Sequence, residues 1–353
     1  MGIFFVFKSD GERLRLISDA RLPNQTDFLD PPPVELLTGE GLGCIELDFV
    51  DCDFVPQGVM DAIHFILGLS ALRDCFHRYR VPLWLAKHFA WLPVKAKVVG
   101  LDGLWLDGKF LDAEDAVYPL AGSLCQGFSW ALFFAQKANE KVAASVSPLR
   151  DARLMKDRGE SIVLRMTSRK VVDEIWYYVY VDNLGLLGAD EEEVGAIMEE
   201  LKTVFGGLNL TLHAEGLHGG AVDALGVTVN GEAALTTINV ERMWKIKQGI
   251  RGVLQRGKCS GVVLEIILGH CTFAALVNRH MLSIFDDCYK FMRANYFTAA
   301  KLWPSVVEEL EAFGNGIFLL EQSWTRQWSQ LVGCGDASLS GYGICTLGGL
   351  NMK

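Results

Sequence analysis

Residues 173–188 read Asp173-Glu-Ile-Trp-Tyr-Tyr-Val-Tyr-Val-Asp-Asn-Leu-Gly-Leu-Leu-Gly188. The aromatic and β-branched run from Ile175 to Val181 is broken by Asp182-Asn183, and apolar residues resume at Leu184, Leu186 and Leu187. Strand, tight polar turn, strand is the expected structure, because Asp and Asn tolerate the left-handed conformations of short hairpin turns. A carboxylate at the tip of an apolar hairpin is expensive to bury without a partner, which makes Asp182 a candidate metal ligand. A plain hairpin with a solvated turn accounts for the stretch equally well when it is taken alone.

The flanking sequence adds elements on both sides. Downstream, acid at Asp190–Glu193 followed by Val194, Ile197, Met198, Leu201, Val204 and Phe205 at helical spacing predicts a helix that Gly206-Gly207 end. Leu208, Leu210 and Leu212 alternate as a strand, and 224–229 reads as another. Residues 240–258 form a basic amphipathic helix, with Lys245, Lys247 and Arg251 as candidate contacts to a nucleic-acid backbone; a solvated face is the plainer meaning of such a run. Helical periodicity continues over 262–295, with a break expected at Gly269. Upstream, Ile3–Phe7 and Leu14–Ile17 flank a polar turn as a hairpin carrying Lys8, Arg13 and Arg15. Pro31-Pro32-Pro33 reads as an extended connector. Residues 63–69 fit a core strand or a helix, Asp-Gly pairs at 102–103 and 107–108 suggest a hairpin over 97–111, and Phe128–Asn139 reads as a helix.

Composition narrows the class. Half of the 353 residues are apolar and 22% are charged, which predicts a sizeable core and excludes bulk disorder. A net charge of −10 argues against a nucleic-acid binder unless basic residues are segregated in space, and 240–258 is such a segregation. The nine cysteines form no Cys-x-x-Cys pair, so free thiols in a reducing compartment are expected, and His270-Cys271 lacks a standard zinc spacing. No apolar run is long enough to span a bilayer, no signal peptide is evident, and an intracellular location, cytoplasmic or nuclear, is the expectation.

Six short patterns, in order along nearly the whole chain, resemble a reverse transcriptase of the retroelement type. Lys8, Arg15, Asp19, Arg21 and Asn24 match the family's fingers pattern. Asp74-Cys75-Phe76 matches the second half of its first palm motif, Leu124-Cys125-Gln126-Gly127 its Leu-Pro-Gln-Gly motif, and Tyr180-Val181-Asp182-Asn183 its Tyr-x-Asp-Asp hairpin. Leu225-Gly226 matches a Leu-Gly that opens a later strand, and Asp336-Ala337-Ser338 with Gly341-Tyr342-Gly343 resembles the first strand of a ribonuclease H domain. The resemblance implies an α+β right-hand polymerase fold: partial fingers over 1–60, a palm with a fingers insertion over 61–238, a helical thumb or connection over 239–325, and a truncated ribonuclease H-like start over 326–353. It implies template-directed DNA synthesis on an RNA or DNA template with primer, from deoxynucleoside triphosphates, using two Mg²⁺ or Mn²⁺ ions. Lys8 and Arg15 would meet the triphosphate, Phe76 beside Cys75 the sugar, and Gln126 and Gly127 the nucleotide pocket.

Three departures bear on that activity. The metal-binding Asp of the first palm motif falls on Ala71, the second hairpin Asp is Asn183, and Cys125 replaces Pro. Asp182 is the family carboxylate left in place, so weak or absent polymerase activity is expected, with Asp74 as the possible stand-in ligand and a catalytically dead nucleic-acid-binding remnant as the alternative. Lys353 lies seventeen residues past Asp336, so no ribonuclease H activity is expected from this stretch, and a segment of a larger polyprotein is the simplest account.

Overall fold

The computed structural model describes residues 2–7, 11–49, 65–150, 152–159, 162–166 and 175–325, together with the backbone of Val332–Ser338 and Gly341–Leu347. Its centre is a five-stranded sheet. Leu212–His218, Ile66–Leu72, Asn183–Gly188 and Trp176–Tyr180 lie side by side as antiparallel neighbours, and Arg153–Leu154 adds a short parallel edge.

Side chains alternate along each central strand, and both faces are buried. Ile66, Leu72, Tyr177, Val179, Leu184 and Leu186 point to one side, where the helices Ala131–Ala143 and Glu191–Gly207 cover them. Phe65, Leu67, Leu69, Trp176, Tyr178 and Leu187 point to the other, against Leu37, Leu42, Ile45, Val229 and Trp324. Burial on both faces explains why residues 63–69 carry no helical or polar-apolar period to read. The strand begins at Ile66; residues 63 and 64 lie outside the described residues. Gly185 sits opposite Tyr178, and a Cβ there would come within 2.1 Å of the Tyr178 ring, so only glycine admits that aromatic against the sheet.

The helix expected over 190–205 spans Glu191–Gly207, capped by the Asp190 carboxylate, which accepts from the Glu193 amide at 3.0 Å. Other boundaries move. The helix expected from Phe128 begins at Ala131. Leu208 and Leu210 lie in a turn where Asn209 takes a φ of +59°, and the strand starts only at Leu212. The run 224–229 is two strands, Ala221–Ala224 and Val227–Asn230, joined through Leu225-Gly226; both take positive φ, as a type I′ turn requires. Leu225-Gly226 therefore makes a hairpin turn rather than opening a strand. Over 97–111 only the second Asp-Gly forms a hairpin, pairing Trp105–Leu106 with Lys109–Phe110. Gly269 lies inside the unbroken helix Gly261–Ala275, where packing of Leu264, Leu268 and Cys271 outweighs the roughly 1 kcal/mol that glycine costs a helix interior.

The helix Val240–Arg256 packs with Gly261–Ala275, Asp286–Ala294 and Pro304–Gly316 around a separate helical core. The chain then returns to the sheets: Glu321–Ser323 pairs with Leu235–Ile238, and the buried Trp324 indole donates to Thr236 Oγ1 at 3.0 Å. Beyond it, Val332–Ser338 and Gly341–Leu347 pair antiparallel, with Asp336 opposite Gly343. Cys75, Cys125, Cys259, Cys271 and Cys288 are free thiols. Among the described residues no helix is long and apolar enough to cross a membrane.

One contact fixes the hairpin at the sheet centre. The strand Trp176–Tyr180 meets Arg153–Leu154 only at Trp176 and Tyr177, so its later backbone groups have no strand partner on that side. The helix Ala131–Ala143 supplies them. Small residues on its buried face (Ala131, Ala135, Ala143) let it approach closely. Gln136 donates to the Val179 carbonyl at 2.7 Å and accepts from the Val181 amide at 2.7 Å. Asn139, one turn on, donates to the Val181 carbonyl at 2.6 Å and accepts from the Tyr79 hydroxyl. Asn139→Ala strands the Val181 carbonyl and the Tyr79 hydroxyl, and is expected to lower stability by about 2–3 kcal/mol in denaturant unfolding. Gln136→Leu should cost a similar amount, and the double variant less than the sum, because both side chains hold the same turn.

Candidate active site

The turn between the two hairpin strands is Val181-Asp182, and Asn183 is already the first residue of the second strand, opposite Tyr180 on one side and Ala71 on the other. The expected turn at Asp182-Asn183 is thus displaced by one residue. Asn183 is held in strand pairing on both sides, and the bend falls on Val181 instead. Val181 adopts a φ of +54°, a conformation that a β-branched residue rarely takes and that costs of order 1–3 kcal/mol. The Gln136 and Asn139 contacts hold it there. Neither residue was singled out from sequence; the available signal was two polar residues at i and i+3 on an otherwise small, apolar helix face.

The bend aims Asp182 into a cleft of about 660 Å³ shared with Leu14, Arg15, Asp74, Phe76 and Gln126. The register that brings them together is specific. The Leu72 amide donates to the Asp182 carbonyl at 2.7 Å, which locks the tip of the hairpin to the end of the strand Ile66–Leu72. Asp74, two residues on, is in the left-handed conformation (φ +51°), which Asp tolerates, and opens the short helix Cys75–Arg78. Its carboxylate lies 3.7 Å from Arg73 Nε.

The first hairpin, Gly2–Phe7 with Leu14–Asp19, joins the cleft through backbone. The Ser18 amide donates to the Gln126 carbonyl at 3.1 Å. Gly127 has a φ of +108°, and a Cβ there would lie 2.2 Å from the Ser18 carbonyl oxygen, so glycine is required for the two loops to touch. Asn24 closes the junction, donating to the Gly127 carbonyl at 2.9 Å and accepting from the Ser129 amide at 3.0 Å. Arg21 grips Asp19 with two hydrogen bonds of 2.8 and 2.6 Å and holds that carboxyl down at about 2. Lys8 lies outside the described residues.

Two carboxylates line the cleft, the half-buried Asp182 and the exposed Asp74. Burial pushes the Asp182 carboxyl up, opposed by its own backbone amide and by the attraction of Arg15. Burial also pushes the Cys75 thiol up to about 11 and raises Cys125. The Gln126 Oε1 is buried without a protein partner. Asn183 Nδ2 lies 3.4 Å from Asp182 Oδ1, so the amide offers a donor where a second carboxylate would repel.

Two divalent ions a few ångströms apart need several hard, charged oxygen ligands converging from neighbouring strands. The neighbouring strand offers Ala71, and the hairpin offers one carboxylate and one amide. Among the described residues no group of three or more His, Cys, Asp or Glu side chains is placed to hold a metal ion. The residues present therefore do not fit a two-ion site.

The three basic residues singled out on the helix Val240–Arg256 have different surroundings. Lys245 pairs with Glu241 at 2.7 Å and lines a second cleft, of about 470 Å³, with Arg242 and His270. Lys247 stands on another side, its ammonium 4.0 Å from the centre of the Phe318 ring and 5.7 Å from that of Trp244, and Arg251 is exposed one turn further on.

Burial of Asp182 has a measurable consequence. Its carboxyl is raised in the folded chain, so the penalty of the charged form is absent at low pH and appears as pH rises through that raised value. Asp182→Asn is expected to melt a few degrees higher than the unaltered chain at pH 7, with the difference vanishing below about pH 3, where Asp is neutral folded and unfolded alike. Thermal unfolding across that pH range reads it directly.

No protein-family model and no curated protein matches the chain by sequence. Its three-dimensional structure does find relatives. It is similar to a foamy viral protease-reverse transcriptase dRH in complex with double-stranded DNA, with a TM-score of 0.57 and 15% identity over 97% of this chain and 50% of that one. A foamy viral protease-reverse transcriptase in complex with double-stranded DNA gives a TM-score of 0.54 and 16% identity over 98% and 58%. Another, in complex with an RNA/DNA hybrid, gives 0.51 and 17% over 98% and 39%. The chain spans about half the length of the solved chains it matches. The chain thus has a fold similar to that of the solved foamy viral reverse transcriptases.

Proposed function

We propose that the chain binds a primer–template duplex, with an RNA or DNA template, and has lost all or nearly all capacity to extend the primer. The observation that carries this reading is the register at the sheet centre. Asn183 faces Ala71 across the two strands that must supply the metal carboxylates, and its amide lies beside Asp182 in place of a second negative charge. Two dipositive ions held by one carboxylate would be poorly compensated. The rest of the cleft supports a nucleotide-sized guest. Arg15 would meet phosphate, Phe76 the sugar, and the unpartnered Gln126 Oε1 a base or ribose donor. Gly127 would act through the fingers contact that shapes this wall. We assign the fingers to 1–60, the palm to 61–238 and the thumb or connection to 239–325, and Asp336 to a ribonuclease H-like strand.

A second reading is favoured by one observation: Asp74 lines the same cleft as Asp182. It would be the replacement ligand for Mg²⁺ or Mn²⁺ in residual nucleotidyl transfer.

The decisive experiment pairs binding with primer extension in Mg²⁺ and in Mn²⁺. Salt-dependent binding without extension is the expected result. Extension that disappears in Asp182→Ala sinks the silent-site reading, and extension that survives Asp74→Ala removes the stand-in ligand. Binding itself should lose about two units from the slope of log affinity against log salt in the Lys247→Ala, Arg251→Ala double variant, if both cations contact phosphates. An unchanged slope places the duplex elsewhere.

A further inference from the structure

The second cleft, of about 470 Å³, lies between the helices Val240–Arg256 and Gly261–Ala275, beside the turn at Gly226. Its size is that of a small-molecule site. Ile246 and Ile267 line it, with Ile266, which is 60% exposed. The half-buried Arg242 supplies its charge. The guanidinium carbon lies 4.2 Å from the centre of the Phe273 ring, and Gly226 keeps this end tight, since a Cβ there would come within 2.9 Å of the same ring. Stacking on the ring fixes the plane of the guanidinium fork. Among the described residues no hydrogen-bond or ion-pair partner is set against that fork. The neighbouring carboxylates are already engaged. Glu241 pairs with Lys245 at 2.7 Å, and Asp223 accepts from Thr228 Oγ1 and from Asn239 Nδ2, each at 2.6 Å.

We infer that this cleft binds an amphipathic monocarboxylate, a small apolar body that carries one carboxylate group. The planar fork of Arg242 matches the two oxygens of a carboxylate, and a half-buried guanidinium without an acceptor gains most from such a pair. The Glu241–Lys245 pair adds no net charge, so Arg242 is the unmatched permanent charge among the lining residues, and a single negative charge balances it. His270 adds an imidazole N–H at the same cleft. The three isoleucines are covered favourably only by apolar surface, which sets the character of the rest of the ligand. A phosphodiester carries the same charge but flanks it with polar sugar and further phosphates, which isoleucine walls do not answer. The inference goes beyond duplex binding and requires no nucleic acid.

Ligand-observed NMR titration of the full chain with phenylbutanoate tests it, with neutral phenylbutanamide and dimethyl phosphate as the comparison ligands. A dissociation constant of about 0.1–1 mM is expected for phenylbutanoate, as suits a ligand of so few atoms. Phenylbutanamide should bind at least about tenfold more weakly, because it forfeits the charge-assisted pair. Arg242→Gln should weaken phenylbutanoate by a similar factor. Ile266→Asp, which removes an apolar wall and sets a like charge beside the carboxylate, should weaken it at least about fivefold. Ile266 is exposed, so its replacement leaves the fold intact, and circular dichroism checks both variants. Four results overturn the inference: no binding at about 5 mM phenylbutanoate, equal binding of phenylbutanamide, an affinity unchanged by either variant, or displacement by an equal concentration of dimethyl phosphate, which would give the cleft to a phosphodiester.

Discussion

The hydrogen bonds from Gln136 and Asn139 to the backbone around Val181 are what the rest of the site depends on. A strand that loses its neighbour midway leaves buried amides and carbonyls unpaired, and each costs about 1–3 kcal/mol if nothing answers it. Here two side chains one helical turn apart provide those partners. In doing so they hold Val181 in a left-handed conformation that it would not choose and turn Asp182 toward the cleft. Helix position, hairpin bend and the aim of the carboxylate are consequences of one set of bonds.

Around that bend the chain has a fold similar to that of the solved reverse transcriptases. The first hairpin touches the Gln126-Gly127 loop through backbone, at a separation that only glycine permits, and Asn24 bridges the two. Asp74, Val181 and Gly127, all at positive φ, surround the cleft. Strain concentrated in this way is usual where a fold is built to place reacting groups. Ala71 and Asn183 pair across the two central strands, and neither carries a charge. Shape and ligand set are separable, because the shape rests on backbone pairing and core packing that neither residue disturbs.

Much of this was legible from the chain itself. The hairpin, the helix after it and the spacing of six short patterns pointed to the reverse-transcriptase fold at an identity where no sequence comparison succeeds. Boundaries fared less well where tertiary pairing overrode local preference. Asn183 looks like a turn residue but is held in strand pairing from both sides. Gly269 looks like a helix break but is carried by the packing of its neighbours. Leu225-Gly226 looks like the start of a strand but has the paired positive φ angles of a turn.

The sequence by itself determined the hairpin at 175–188, the helix that follows it and the residue types at positions 71, 182 and 183, because these depend on residue type and spacing alone. Only the tertiary structure decided that Val181 rather than Asn183 makes the bend, that Gln136 and Asn139 hold it, and that Lys245 and Lys247 face different surroundings. Each of these rests on a partner distant in sequence, either present or missing, and no local pattern encodes which distant backbone group or ring a side chain will meet.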